Sequence, residues 1–532
     1  MLAHATPDGR DARRSGLPCA AIYPWRPVYT RPMVAPSDTS GSPLSSPASV
    51  ADVVAAEGGR VTLARFMQLA LTHPTLGYYS QADNPLGRRG DFSTAPTLSP
   101  FFNETVARLL TELVAASLQT SSPQTACPQT ASSLDVDPAG GGLPATNLPG
   151  AQLCVVELGG GRGDLAAAIL SHWECEHPEW RGKVGYRIVE VSKALREAQM
   201  AGLRPWTTAG WDVAWVSGLA ETGSTARPVV VLANEFLDAL PVHLVDVRAG
   251  DAREAYVCAG DDRCKGPEQS GGPERSDVTG TSARSDPESR SEPGSSPELS
   301  LTWDVLSEEA KAEMESIFGT ADATRLRPLT HDGILELRPE AASLVRQVAE
   351  LMPSGSLLNI DYGDWLPGIV EGTANETKGG SVEAGGAAAG SAAETRGGAG
   401  RRRSLRGYYR HHLVADPLAR PGLQDLTADV DFAALDLAGR REGFETVLYT
   451  SLSKFLRAGG AEQELRRLTQ SGSSTGDAQA HVQAPPHPDI SARPLREGFD
   501  PLEADRQATV LRALLDETDL GGAFKLVLQV KD

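Results

Sequence analysis

The run "CVVELGGGRGDLAAAIL" (residues 154–170) sets an acid and four glycines between two apolar stretches. Glycine removes the side chain that would hold a ligand off, so such a run suits chemistry in which something touches bare backbone. A dinucleotide fingerprint, G-x-G-x-x-G/A, is one candidate. Counted from Gly159 and Gly161, its third slot falls on Asp164, and the match fails. What fits is acid-x-G-x-G-x-G, with Glu157 as the acid and Gly159, Gly161 and Gly163 as the glycines. A packing turn without a ligand is the plain alternative.

The fitting pattern resembles the first loop of S-adenosylmethionine (AdoMet) methyltransferases. AdoMet has no pyrophosphate to seat on a helix N-terminus. It asks for a close turn beneath its methionine part and ribose, and for an acid near its ammonium group, the place of Glu157. A second acid belongs at the end of the next strand, to accept hydrogen bonds from ribose hydroxyls. Glu190 in "YRIVEVS" stands there, 27 residues after Gly163. NAD-binding proteins use the same device, so Glu190 alone does not discriminate. Another apolar strand closes on Asn234 and Glu235 in "VLANEFLDALPVH", with Asp238 one turn on. The carboxyl ends of parallel strands form the binding crevice. Asn234 is therefore a candidate on the cofactor side and Glu235 and Asp238 beyond it, unless all three only cap the next helix. Asp361 ends "LLNID" in the same way.

The elements that position these groups alternate. "QLCVVEL" (152–158), "YRIVEV" (186–191), "WDVAWVS" (211–217), "RPVVVLANEF" (227–236) and "SLLNIDYG" (356–363) read as buried strands, several of them followed by helical stretches. Continuous apolar strands in strand–helix alternation imply a parallel sheet. The spacing also predicts a helix over 61–72 with Thr62 as N-cap, and one from Pro100 capped by Ser99. A C-terminal helix near 501–516 precedes "FKLVLQV" (524–530), read as a last, antiparallel strand. The expected fold class is α/β: a Rossmann-like AdoMet methyltransferase sheet with helices on both faces, an N-terminal helical segment and low-complexity insertions.

The chain of 532 residues divides by composition. Residues 1–50 read as a disordered tail and 51–116 as a helical segment on the substrate side. The Rossmann-like core covers 151–258 and continues over 301–370; 405–465 form the C-terminal part of the catalytic domain, and 496–532 the last helix and strand. Between them, 117–150, 259–300, 371–404 and 466–495 are rich in Ser, Thr, Pro, Gly and Ala. Such segments cannot bury enough apolar surface to offset ordering, and read as flexible inserts. The net charge of −19 shows no basic stripe, the one local cluster, Arg401, Arg402, Arg403 and Arg406, reading as a solvated hinge, which argues against nucleic acid or an anionic membrane as partner. No apolar run approaches the ~18 residues of an integral membrane segment. The six cysteines form no CxxC pair, so neither a disulfide framework nor a zinc site is expected, and a reducing compartment is implied. "HWECEH" (His172 to His177) has no standard ligand spacing, so no metal is expected. Five Arg and no Lys in the first 50 residues leave two readings, a transit peptide or an over-extended start with Met33 as a second candidate.

Taken together, "FMQLALTHPTLGYYS", "GRRGDFSTAPTLSP", "VVELGGGRGDLA", "YRIVEVSKALREAQ", "NEFLDALPV", "NIDYGD", "RGYYRHH", "QDLTADVDF" and "GAFKLVL" occur in one order across residues 60 to 530. In this the chain resembles the MidA-like family of bacterial and mitochondrial AdoMet-dependent methyltransferases linked to respiratory complex I assembly. The match includes Gly90, Asp91 and Phe92 as well as the residues above. It departs at Gly160, where the family commonly has Pro, and at "TLSPFFNET", where a segment like "EISQMFGE" is usual. The resemblance implies AdoMet as cofactor and a protein arginine as acceptor, in a complex I subunit or its bacterial counterpart. A guanidinium stays charged and is held bidentately by carboxylates. Glu235 and Asp238 are the candidate catalytic pair and Asp361 the reserve, while His243, His411 and His412 read as structural. The style of the motifs implies a bacterial cytoplasm, with the mitochondrial matrix as the alternative. Two other readings stay open: a non-catalytic assembly scaffold on a methyltransferase fold, and a nucleotide-cofactor oxidoreductase, which the failed third glycine disfavours.

Overall fold

The computed structural model describes residues 49–80, 94–120, 153–222, 229–260, 297–366, 404–410, 412–414, 416–473 and 501–532. Five strands lie parallel in the order Gly355–Asp364, Val229–Asn234, Leu153–Leu158, Val184–Val189, Asp212–Val216. Phe524–Lys531 adds antiparallel to Gly355–Asp364, as expected. Beyond it Glu445–Ser451 adds another antiparallel strand. That edge strand carries no sequence signal: nearly all of its residues stay exposed or half-exposed, so it lacks a continuous apolar run. From Leu153–Leu158 the chain winds outward to Asp212–Val216, then returns to Val229–Asn234 on the other side. The reversal opens a crevice at the carboxyl ends of the two central strands, where ligands of such sheets bind.

Strand alternation divides the core into two layers. Leu153 and Val155, Val230 and Leu232, and Leu358 and Ile360 face one side. There they meet the helices Pro100–Thr120, Asp164–Glu176 and Pro501–Leu515. Val156, Leu158, Val231 and Ala233 face the other side, against Pro339–Leu351 and Phe432–Arg441. Ser99 caps the long helix as expected, its Oγ accepting from the Phe102 N–H at 3.2 Å. Thr62 likewise caps the helix Leu63–Thr72. Phe102 and Trp173 are fully enclosed between these layers. Truncating such an aromatic to Ala costs roughly 3–5 kcal/mol.

A second sheet departs from the expected single core. Arg60–Thr62, Arg253–Ala259, His243–Asp246 and Ile334–Leu337 form an antiparallel sheet, with Leu299–Asp304 beside Arg253–Ala259. The helices Val50–Ala56 and Leu63–Thr72 cover one face and Glu308–Phe318 the other. Part of 151–258 and much of 301–370 thus belong to this sheet, which, apart from Arg60–Thr62, is inserted between two parallel strands of the main one. Its strands are short and antiparallel, so they do not carry the strand–helix period that marked the core. A third, three-stranded sheet joins His412–Val414, Arg406–Tyr409 and Asp425–Thr427. Two inserts begin later than composition suggested: Pro100–Thr120 and Ala461–Ser473 are helical into 117–120 and 466–473. The remaining stretches of the four inserts lie mostly outside the described residues, as does the tail before residue 49. One cysteine departs from the all-thiol expectation. Cys258, enclosed in Arg253–Ala259, is disulfide-bonded.

Candidate functional site

After Leu153–Leu158 the chain reverses through three left-handed glycines, Gly159 (φ 63°), Gly161 (φ 52°) and Gly163 (φ 85°). A side chain there would strain the backbone. At Gly159 it would also meet the Phe236 ring at 2.6 Å. Gly163 leads directly into the helix Asp164–Glu176. Glu157 points inward from the strand and is 3% exposed. The Tyr186 hydroxyl donates to its Oε2 at 3.0 Å. Burial pushes its pKa up to about 7, against the Tyr186 hydrogen bond and with help from the charges of Glu190 and Asp164. Glu190 comes directly after Val184–Val189. Its carboxylate accepts from the Ser192 N–H (2.9 Å) and from Gln199 Nε2 (3.0 Å), and burial raises its pKa. Gln199 is fully buried. Its Nε2 also donates to the Gly161 carbonyl at 2.8 Å, and its Oε1 accepts from Trp215 at 2.9 Å. One amide therefore locks the glycine turn to the second acid. Carboxylates offer about four acceptor sites each, so both acids retain capacity for a ligand's ammonium and hydroxyl donors. Val191, 64% exposed beside Glu190, adds an uncovered apolar face. These residues fit AdoMet.

Across the crevice, Glu235 holds φ 48°, an uncommon value for a residue with a side chain. Its N–H donates to the Ile360 carbonyl at 2.8 Å. Asp361, 1% exposed, anchors the next three residues of this turn. Its Oδ2 accepts from the N–H groups of Phe236 (3.2 Å), Leu237 (2.8 Å) and Asp238 (3.2 Å), and its Oδ1 from that of Tyr362 (2.8 Å). Burial and the charges of Asp238 and Glu235 raise its pKa. The four donors work the other way, since they need the acceptor-only, ionised form. Glu235 Oε1 accepts from the Ala95 N–H at 2.9 Å. Enclosure of that carboxyl pushes its pKa up to about 8; the Ala95 bond opposes this, and Asp238 and Asp425 add to it. Asp238 is lifted to about 6 by burial, with Arg338 and Arg406 drawing it down. Arg338 donates to the carbonyls of Ala428 (2.8 Å), Asp429 (3.3 Å) and Leu240 (3.4 Å). Arg406 pairs with Asp429 at 2.6 Å and lies over the Tyr362 ring. The two arginines make their direct bonds to other groups and balance Asp238 only by charge, and Glu235 makes no ion pair among the described residues. Such an arrangement can take a cation.

The model of the family described as "Putative S-adenosyl-L-methionine-dependent methyltransferase" matches residues 143–384 and 390–450. The chain belongs to this family. The methyltransferase is similar to the mitochondrial protein arginine methyltransferase NDUFAF7 of Mus musculus, at 26% identity over 71% of this chain and 66% of that one. The match thus spans just under two thirds of the mouse relative's length. It is similar to the Caenorhabditis elegans homolog at 25% identity over 77% and 76%. Its fold is that of a crystal structure from Burkholderia thailandensis bound to S-adenosyl-homocysteine, with TM-score 0.57, 24% identity, and 91% and 92% of the two chains covered. AdoMet is the cofactor of this family.

Of the sequence-predicted groups, Glu157, Gly159, Gly161, Gly163 and Glu190 come together on one side of the methyltransferase crevice. Asn234, Glu235, Asp238 and Asp361 gather at the ends of the two neighbouring strands. Asp361 differs from its expected reserve role, because both its oxygens are committed to backbone N–H groups. His243 is structural, its Nδ1 2.6 Å from Glu254 in the second sheet. His411, Gly90, Asp91 and Phe92 lie outside the described residues. Sequence reasoning missed Gln199, Tyr186, Arg338 and Arg406. Arg406 lies in the quoted "RGYYRHH" and Gln199 in "YRIVEVSKALREAQ". Arg338 carries no local signal, since it reaches the site from the second sheet.

Proposed function

We propose that this methyltransferase modifies an arginine of a protein substrate, a respiratory complex I subunit or its bacterial counterpart. The observation that carries the reading is Glu235: enclosed, subject to the charges of Asp238 and Asp425, and without an ion pair among the described residues. A guanidinium supplies the missing charge in a form carboxylates hold bidentately. The names of the mouse and nematode relatives point the same way. Their mitochondrial location makes the matrix one home for this reading and the bacterial cytoplasm the other.

In this reading the turn at Gly159, Gly161 and Gly163 lies under the cofactor, Glu157 receives its ammonium, Glu190 its ribose hydroxyls, and Asn234 its methyl-side edge. Bound AdoMet supplies a methyl group on a sulfonium, already activated for in-line transfer. Glu235 holds the guanidinium, and Asp238 adds its charge from one turn on. Enclosure excludes water and strengthens both contacts. Glu235 must give up its proton as the cation arrives, which its nearness to neutral titration allows. The test is mass spectrometry of arginine methylation in complex I subunits with and without this gene. Loss of one methylarginine supports the reading. An unchanged methylation map, with AdoMet binding intact, removes arginine of complex I as the target.

A further inference from the structure

A second carboxylate, from another sheet, adds its charge to that of Glu235. Asp425, 2% exposed, lies in the short strand Asp425–Thr427, paired with Arg406–Tyr409. Alternation puts Asp425 and Thr427 on one face and Leu426 on the other. Leu426 and Ala428 belong to the core under the helix Leu63–Thr72. The polar face of this strand therefore turns away from Leu426 and that core. Its depth is fixed where the Ala428 N–H donates to the Asp238 carbonyl at 3.0 Å. Tyr79, from the turn after Leu63–Thr72, donates its hydroxyl to Asp425 Oδ1 at 2.8 Å. The electrostatics agree, since Tyr79 feels both Asp425 and Asp238, and Glu235 feels both as well. Thr427 Oγ1 is enclosed, on a residue 6% exposed, and has no hydrogen-bond partner among the described residues. A buried hydroxyl without a partner is destabilising and marks a place for one.

We infer that the Asp425–Thr427 face is the far wall of the acceptor site, with Asp425 as the second carboxylate on the guanidinium and Tyr79 as its positioning residue. The inference rests on the arginine reading and extends it. Glu235 and Asp425 approach from different sheets and hold the planar cation between them, while Asp238 remains balanced by Arg338 and Arg406. Thr427 Oγ1 gains a guanidinium N–H as donor. The main sheet supplies one jaw of this clamp. The N-terminal segment and the three-stranded sheet supply the other.

The test uses the full chain saturated with S-adenosyl-homocysteine and titrated calorimetrically with N-acetyl-arginine amide. N-acetyl-lysine amide is the control. Asp425→Asn is expected to weaken the arginine probe about 10- to 100-fold, the worth of a charge-assisted contact. Thr427→Val is expected to weaken it about threefold or more, with AdoMet affinity held in both. Tyr79→Phe should leave binding measurable but move its pH profile, because Asp425 loses a donor that favours its ionised form. If Glu235→Gln loses the probe while Asp425→Asn binds like wild type, the far wall is wrong and the arginine reading stands. If the wild-type protein binds AdoMet but neither prefers arginine to lysine nor binds either, the arginine reading falls and this inference with it. Thr427→Val keeps the test decisive should Asp425→Asn unfold, since it leaves the Tyr79–Asp425 bond intact. Unchanged probe binding in that variant would remove the wall.

Discussion

On the cofactor side of the crevice every group but Asn234 comes from two consecutive strand–helix units, residues 153–199. On the acceptor side Ala95, Glu235, Arg338, Asp361 and Arg406 come from five separated segments and three sheets. The cofactor side is held by near neighbours such as Gln199, which needs only two adjacent loops to be in place. The acceptor side depends on the whole fold, because its charges are balanced by arginines that arrive from elsewhere. Cofactor binding should therefore outlive many changes that stop transfer.

The largest expected effect is on the local side. Gly161→Val puts a branched side chain at φ 52° in the turn under the ligand and should abolish AdoMet binding, with the melting transition retained. AdoMet titration beside thermal unfolding checks it, and wild-type affinity would dissolve the cofactor side as drawn. Next, Glu235→Gln keeps shape but removes charge, and methyl transfer should fall about 30- to 1000-fold. AdoMet affinity should stay within about twofold, since the proposed role puts the residue outside the cofactor's contacts. A loss of both would merge the two sides.

Asp361→Asn comes third. An amide cannot accept at both ends, so one buried N–H loses its acceptor, at a cost of about 1–3 kcal/mol in stability. The Glu235 turn loosens, and transfer should drop roughly 10- to 100-fold at near-normal AdoMet affinity. Denaturant unfolding and turnover measured together decide it; an unaltered rate would make this carboxylate a bystander. The smallest effect is that of pH on the cofactor side. Glu157 titrates near 7, above the ~4.3 of an unfolded glutamate. The folded protein thus binds the extra proton between those values, and the free protein should lose stability as pH rises through that window. AdoMet's ammonium favours the ionised form, so affinity should rise about tenfold between about pH 6 and about pH 8. A flat titration series would take Glu157 out of contact with the ammonium.

The parallel sheet and its crevice were legible because buried strands leave continuous apolar runs and the glycine turn has its own signature. Glu157 and Glu190 could be placed by counting along that pattern. The role of Asp361 could not be counted, because four backbone N–H groups converge on it only once Glu235 has taken its left-handed turn. The second sheet escaped for a related reason. Its strands are three to seven residues long, and two of them flank an insert of low complexity. Arg338 went with it, since a guanidinium bonded to three carbonyls leaves no motif.

The second sheet also sets an order of events. Leu153 pairs with Val184, so that pairing closes 184 − 153 = 31 residues, whereas Val229 pairs with Gly355 across 355 − 229 = 126. Closing the longer excursion costs about 1 kcal/mol more in chain entropy, before any ordering of the sheet within it. Contacts distant in sequence form slowly. The glycine turn is thus a product of early, short-range closure, and the Glu235–Asp361 turn of a late, long-range one. Residues 153–199 also leave the ribosome well before Gly355. A nascent chain of this protein is expected to grip its methyl donor while the seat for the methyl acceptor has yet to be built.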